Sequence, residues 1–328
     1  MQKTLAVINL SAIRHNAQII RSLIGDRFFF AVVKADAYGH GAERVALEIE
    51  DIVDGFCVAI VEEGVALRVA GVTKPVLVLA PPLSNGDSEV MNYYDLLATV
   101  GDLDSAKYAK GLNCHVAINT GMNRYGCNNG QLKKLLKTLS PQHIWGVYSH
   151  LFAPENAKAR VNQLALFKEA EGIVKQYAPQ AQAHLAASAG IALGGEFLKE
   201  GVRCGLALYG YSPNGFKIEG LQPALKVYAK LAQSTEYIPN GIGYNIADRV
   251  YNKLYTYRAG YADGFFRGVP LGEKTLCMDA FISQQRVPYM PVLTDADAYA
   301  KRCGTISYEV LCSVTRRSDR IYERGIEI

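Results

Sequence analysis

Phe28-Phe29-Phe30-Ala31-Val32-Val33-Lys34-Ala35-Asp36-Ala37-Tyr38-Gly39-His40-Gly41 sets a lysine at the mouth of an uninterrupted apolar run. Residues 28–33 are β-favouring with no polar alternation, which predicts a strand buried on both faces, as in a parallel sheet. A lysine ending such a strand has its amine beside apolar walls, which disfavour the ammonium and free the lone pair. An amine in that state can form a Schiff base with a carbonyl cofactor. A strand-end lysine also snorkels to solvent in many proteins, so the strand alone leaves both readings open.

Outward from this stretch the same kind of run recurs. Apolar segments lie at residues 56–60, 76–80, 96–100, 115–118, 144–149, 183–186 and 202–206. Most are separated by segments with a three-to-four-residue apolar repeat, such as Val45/Ile49/Ile52, Leu132/Leu135/Leu136/Leu139 and Val161/Leu164/Phe167/Ala170/Ile173/Val174/Tyr177. With the first run this makes eight strands in βα alternation, the pattern of a closed (β/α)8 TIM-type barrel; a doubly wound open sheet is the alternative. Ahead of the barrel, Ser11 is positioned to cap a helix carrying Ile13, Ala17, Ile20 and Leu23, and Gly25 to end it. Past about residue 225 the pattern turns to short alternating strands. Residues 225–231, 251–258 and 307–314 read as half-buried strands of a smaller, mostly β C-terminal domain. The expected division is a barrel over 10–226 and a β-rich domain over 227–328, with the opening strand, 1–9, joining the latter.

Composition narrows the classes. The chain has 328 residues, 49% of them apolar and 20% charged, with a net charge of +4. That is ordinary for a soluble globular protein. Without a basic tract, nucleic acid is not indicated. No apolar stretch approaches the roughly 20 residues of a membrane span, and residues 1–10 are too short in their apolar run for a signal peptide. The expectation is a soluble, cytoplasmic protein. Seven cysteines, scattered and never in a CxxC pair, suggest neither a disulfide framework nor a zinc site.

Polar residues fall at one end of the predicted strands. Lys34 follows the first, Arg124 lies in the turn after the fifth, and His150 ends the sixth. Ser188 follows the seventh; Arg203 sits within the eighth, with Gly205 after it. Barrel enzymes place their sites at that rim and commonly bind phosphate after the seventh and eighth strands. His150 taken alone reads equally as a structural histidine. An arginine inside an apolar strand cannot titrate its charge away and needs a partner. Together these residues favour a phosphate-bearing ligand.

The chain resembles the alanine racemases. The likeness rests on Ala31–Gly41, Asn119–Gly126, Tyr148–His150, His184–Ala189 and Gly201–Gly210, followed by Ile242–Asn245, Gly260–Gly264, Cys277–Asp279 and Gly304–Glu309. These stand in the family's order at nearly its spacing, and they cover essentially the whole chain. The resemblance implies pyridoxal 5′-phosphate as cofactor and interconversion of L- and D-alanine. It implies Lys34 as the cofactor-holding base and Tyr244, reaching in from the other subunit of a homodimer, as the second base. Arg203 would bond the pyridine nitrogen, and His150 would link Arg203 to Tyr244. Tyr38, Ser188, Gly205, Leu206 and Tyr308 match the phosphate contacts. Arg124 matches an arginine that meets the substrate carboxylate, and Met278 of the partner subunit matches the residue whose backbone meets it. The family also implies D-alanine supply for peptidoglycan.

Three departures accompany the likeness. Ala117 stands where many members carry a carbamylated lysine that steadies the arginine, and Asn119 stands where aspartate is usual. The segments between Gly264 and Cys277 and between Asp279 and Gly304 are also short. Other functions compatible with the sequence are a racemase for serine, lysine or arginine, and a non-catalytic pyridoxal-phosphate-binding protein.

Overall fold

The structure, a computed structural model, describes residues 4–213 and 215–324. Two compact units divide the chain: one comprises Ile13–Ala37 and Ala42–Gln222, the other Met1–Ala12, Tyr38–Gly41 and Pro223–Ile328.

The first unit is a closed barrel of eight parallel strands. They are Phe28–Val32, Gly55–Val58, Val76–Val78, Leu96–Val100, Cys114–Ala117, Ile144–Tyr148, Gln182–Ala186 and Gly201–Cys204. Closure comes from the first strand pairing with the last, Phe28 opposite Gly201 through Ala31 opposite Cys204. The doubly wound alternative is thereby set aside. Burial explains why continuous apolar runs marked these strands: Gly55–Val58, Leu96–Val100 and Cys114–Ala117 are buried along their whole length. Between the fifth and sixth strands, helix Asn129–Leu136 buries Leu132, Leu135 and Leu136. Helix Ala157–Tyr177, which follows the sixth strand, buries Leu164, Phe167, Ala170 and Val174. Both keep the spacing that predicted them.

The second unit is built on a six-stranded sheet. Its spine is Leu225–Glu236, whose first half pairs antiparallel with Thr4–Asn9 and, on its other edge, with Tyr289–Leu293. A register shift between Leu231 and Gln233 precedes the second half, which pairs with Lys253–Tyr257. Thr4–Asn9 also pairs in parallel with Asp319–Glu323.

Two local readings need correction. Residues 307–314 form a helix, Ser307–Val314, rather than a strand. Its buried positions, Ser307, Val310, Leu311 and Val314, recur at helical intervals, and the β-branched content masked that period. The cap ahead of the barrel is Asn9, not Ser11: the helix starts at Leu10, and the Asn9 carboxamide oxygen accepts from the Ala12 amide at 2.9 Å. A second helix of this unit, Ala296–Cys303, was not anticipated; Asp295 caps it and Gly304, at φ 68°, ends it.

Candidate active site

Lys34 stands directly after the first barrel strand, and the backbone beyond it does something L-residues rarely do. Ala35, Asp36, Ala37 and Tyr38 all have φ between 52° and 54°, a single left-handed turn without glycine. Each such residue costs about 1–2 kcal/mol, so the surroundings must hold the turn in place. The Glu63 carboxylate does so by accepting from the Ala35 amide at 2.7 Å and the Ala59 amide at 2.6 Å. The Ala37 amide donates to the Val33 carbonyl at 2.8 Å, and Asp36 accepts from the Ala42 amide at 2.8 Å. Strain held this tightly is characteristic of functional sites. Among the described residues the Lys34 amine makes no hydrogen bond or ion pair. Burial, reinforced by the positive charges of Arg124 and Arg203, pushes its pKa below the ordinary lysine value.

Arg203 is buried within the eighth strand at 4% exposure. It has no carboxylate partner among the described residues. Instead it donates to His184 Nδ1 at 2.7 Å, the His184 carbonyl at 2.9 Å and the Ser149 carbonyl at 2.5 Å. Its guanidinium carbon lies 4.8 Å from the centre of the Tyr148 ring. His150 is half-buried. Burial and the cations Arg203, Arg124 and Lys34 hold its pKa down to about 3, so the ring is neutral at working pH. No hydrogen bond joins His150 to Arg203; their coupling is electrostatic.

The Asn119–Gly126 turn is pinned from two sides. The Asn119 side-chain oxygen accepts from the amides of Gly121 and Asn123, at 3.0 and 3.1 Å, so asparagine performs the backbone-accepting work expected of aspartate. Gly126, at φ 106°, approaches so closely that a Cβ there would lie 2.7 Å from the Asn119 nitrogen. Buried Gln163, not singled out in the sequence, donates to Thr120 Oγ1 at 2.8 Å and to the His150 carbonyl at 3.0 Å. Arg124 itself is exposed, with its guanidinium 5.8 Å from the Tyr125 ring centre. Among the described residues it makes no hydrogen bond or ion pair. It borders a cavity of about 300 Å³ shared with Thr99, Gly101, Asn119, Asn123 and Gln131. Ala117, buried on the fifth strand, contributes no polar atom to steady it.

Ser188 follows the seventh strand, and its hydroxyl accepts from the Ala207 amide at 3.2 Å, which brings it beside Gly205 and Leu206. Lys34, Arg124, His150, Ser188, Arg203, Gly205 and Leu206 thus all lie on or just beyond the carboxyl ends of the barrel strands. Two cations without acidic partners and a partnerless lysine amine suit a small anionic aldehyde such as pyridoxal phosphate. The charges answer a phosphate or carboxylate, and the free amine answers a carbonyl.

In the second unit, Tyr38 and Tyr308 meet with ring centres 5.8 Å apart. Tyr244 occupies the tip of a two-residue hairpin between Gly241–Ile242 and Asn245–Ile246, with Gly243 at φ 58°. It is 76% exposed. Two of the sequence motifs pack together here: the amides of Tyr261 and Ala262 donate to the carbonyls of Cys277 and Met278, at 3.2 and 2.8 Å. A Cβ on Gly260 would lie 2.4 Å from the Met278 oxygen, so that contact requires glycine. Met278 is 56% exposed.

Comparisons with known proteins all return one family. The family model described as alanine racemase, N-terminal domain, matches residues 8–213. An alanine racemase of Ligilactobacillus salivarius is 31% identical, covering 98% of this chain and 98% of the relative. The structure of an alanine racemase from Clostridium difficile 630 superposes with a TM-score of 0.88 at 28% identity, covering 99% of this chain and 97% of that one. The Bartonella henselae alanine racemase, solved with covalently bound pyridoxal phosphate, gives 0.83 at 26% identity over 98% and 100% of the two chains.

Proposed function

The chain belongs to the alanine racemase family, and from that premise we propose how its own residues interconvert L- and D-alanine. The protein is an amino-acid racemase, an isomerase, and its cofactor is pyridoxal 5′-phosphate. The observation that carries the assignment of residues is the Lys34 amine, which has no partner among the described residues and whose pKa is pushed down by burial and by the charges of Arg124 and Arg203.

The cofactor, when bound, supplies a conjugated ring that withdraws electrons and so acidifies the Cα–H of the amino acid joined to it. Lys34 would hold the cofactor through its amine and, when that amine is free, would take or return a proton at Nζ. Tyr244 does the same at its phenolic oxygen from the opposite side, which inversion requires. Arg203 would hold the ring nitrogen with an N–H; because a guanidinium does not give its proton up, that nitrogen would stay unprotonated and the ring would withdraw electrons only moderately. His150, neutral, is suited to receive a hydrogen bond between Arg203 and Tyr244. Tyr38, Ser188, Gly205, Leu206 and Tyr308 hold the phosphate. Arg124 and the Met278 amide of the partner subunit would meet the substrate carboxylate.

This reading makes the active unit a homodimer. The support is the hairpin tip that leaves Tyr244 largely exposed, together with the exposure of Met278. Mixing inactive Lys34→Ala with inactive Tyr244→Phe is expected to restore part of the activity, because a mixed dimer holds one intact site. Subunit exchange without any restored activity would place each site within one chain. No helix of the described residues is long and apolar enough to cross a membrane. We place the enzyme in the cytoplasm, supplying D-alanine for peptidoglycan.

The substrate assignment is tested by following optical rotation of L-alanine, L-serine, L-lysine and L-arginine with the yellow holoenzyme. Alanine is expected to be turned over with the highest kcat/KM. Turnover of a larger amino acid with alanine inert would overturn the assignment.

A further inference from the structure

Two buried histidines lie behind Arg203. His115, on the fifth strand, and His184, on the seventh, are 2% and 1% exposed. His115 Nδ1 lies 2.7 Å from His184 Nε2, and His184 Nδ1 lies 2.7 Å from Arg203 Nη1. A guanidinium carries donors only and does not lose its proton in proteins. His184 Nδ1 must therefore accept. A proton on that atom would set N–H against N–H at 2.7 Å, so His184 is neutral with its proton on Nε2. That proton points to His115 Nδ1, which must accept in turn, leaving His115 neutral with its own proton on Nε2. Burial and the Arg203 charge act in the same sense, holding His115 down to about 3 and His184 well below the usual histidine value.

The rest of the surroundings fit this one arrangement. A Cβ on Gly146 would lie 2.3 Å from His115 Nδ1, so only glycine on the sixth strand leaves the ring its place. Tyr148 stacks on His184 at 5.1 Å and 15°, and its hydroxyl lies 3.0 Å from Thr99 Oγ1. Of the five N–H groups of Arg203, both on Nη1 go to His184 and one on Nη2 goes to Ser149. One on Nη2 and the one on Nε remain for a ligand and for the proposed link to His150.

We propose that His115 and His184 form a neutral relay of fixed direction that presents a lone pair to Arg203 and holds its guanidinium in the single orientation that leaves the Nε/Nη2 edge free. They are positioning residues: neither needs to touch cofactor or substrate. The effect on turnover rests on the proposed role of Arg203, whereas the proton positions do not.

Long-range 1H–15N correlation of histidine-labelled protein, with cofactor and after its removal, reads the proton positions directly. Both rings are expected as neutral Nε2–H tautomers at neutral pH; an Nδ1–H on His184, or a charged ring, would overturn the relay. Three variants then separate positioning from packing. Asparagine at 184 places an oxygen near the Nδ1 position, whereas glutamine and leucine fill the space better but offer Arg203 no acceptor there. His184→Leu and His184→Gln are expected to lose about 10–100-fold in kcat, the worth of a hydrogen bond to a charged group, with melting temperature as the check on folding. His184→Asn is expected to recover most of that loss. If the ring only fills volume, asparagine, the smallest, is the worst of the three, and that order overturns the proposal. A wild-type enzyme inert toward alanine would instead overturn the functional reading, leaving the tautomer result to stand or fall on its own.

Discussion

Lys34→Ala is expected to be colourless after dialysis and to racemise alanine at least about 10⁴-fold more slowly than the wild type. Removal of a general base alone costs about 10²–10⁴-fold, and this substitution also removes the covalent hold on the cofactor. The site is prepared for this residue in three ways. Burial and two neighbouring arginines depress the amine's pKa, so a larger fraction is neutral and nucleophilic. Among the described residues no carboxylate pairs with the amine, so none of these must be displaced when a carbonyl arrives. The left-handed turn after it is anchored by Glu63, which fixes where the lysine stem begins. Borohydride treatment of the wild type should fix a pyridoxyl group to one peptide, and that peptide should contain Lys34. Full activity in Lys34→Ala, or label on another lysine, would remove the central assignment.

How much of this could be read from sequence follows from which signals are local. Barrel strands lie between inner and outer layers, so they are apolar without interruption, and all eight were legible with ends displaced by one or two residues. The helix at Ser307–Val314 was not, because eight residues with a few scattered apolar positions are too short to separate a strand period from a helical one. Nor could the left-handed turn be foreseen: Ala35, Asp36 and Ala37 carry no glycine to announce a positive φ. Site residues in distinctive motifs were legible through the family resemblance. Their mutual placement within the barrel follows from the fold, since consecutive strands bring Arg124, His150, Ser188 and Arg203 to one rim. The pairing of His115 with His184 escaped notice for the opposite reason. Each sits in a largely apolar strand, and only the closed barrel sets two residues 69 positions apart ring against ring.

The departures from the family are resolved unevenly by the structure. Asn119, where aspartate is usual, accepts from the backbone amides of Gly121 and Asn123. Ala117 has no such substitute. The turn that carries Arg124 is firmly built, through Asn119, Gly126 and Gln163, while the guanidinium at its end has no polar partner among the described residues. Order therefore reaches the backbone of that turn but not the charged group, and the substrate carboxylate must supply part of the ordering itself. Such an arginine adds to affinity less than a pre-held one, because binding has to immobilise it.

Tyr244→Phe is expected to separate the two directions of proton exchange, which no loss of fold or assembly can imitate. The equilibrium between enantiomers stays at one in achiral solvent, so no variant can favour one direction overall. What can change is exchange of the α-proton without inversion, followed in heavy water. If Tyr244 is the base for L-alanine, removing its hydroxyl should slow α-proton exchange of L-alanine by about 10²–10⁴-fold. D-alanine should continue to exchange through Lys34. Phenylalanine keeps the ring and removes only the oxygen, so the hairpin at Gly243–Tyr244 and any subunit contact made by the ring are preserved. A tyrosine that serves only to pack between subunits predicts a different pattern: both rates fall together and track dimer content. Equal loss for both enantiomers, in a variant that remains yellow and dimeric, would sink the two-base assignment and leave Lys34 to handle both faces.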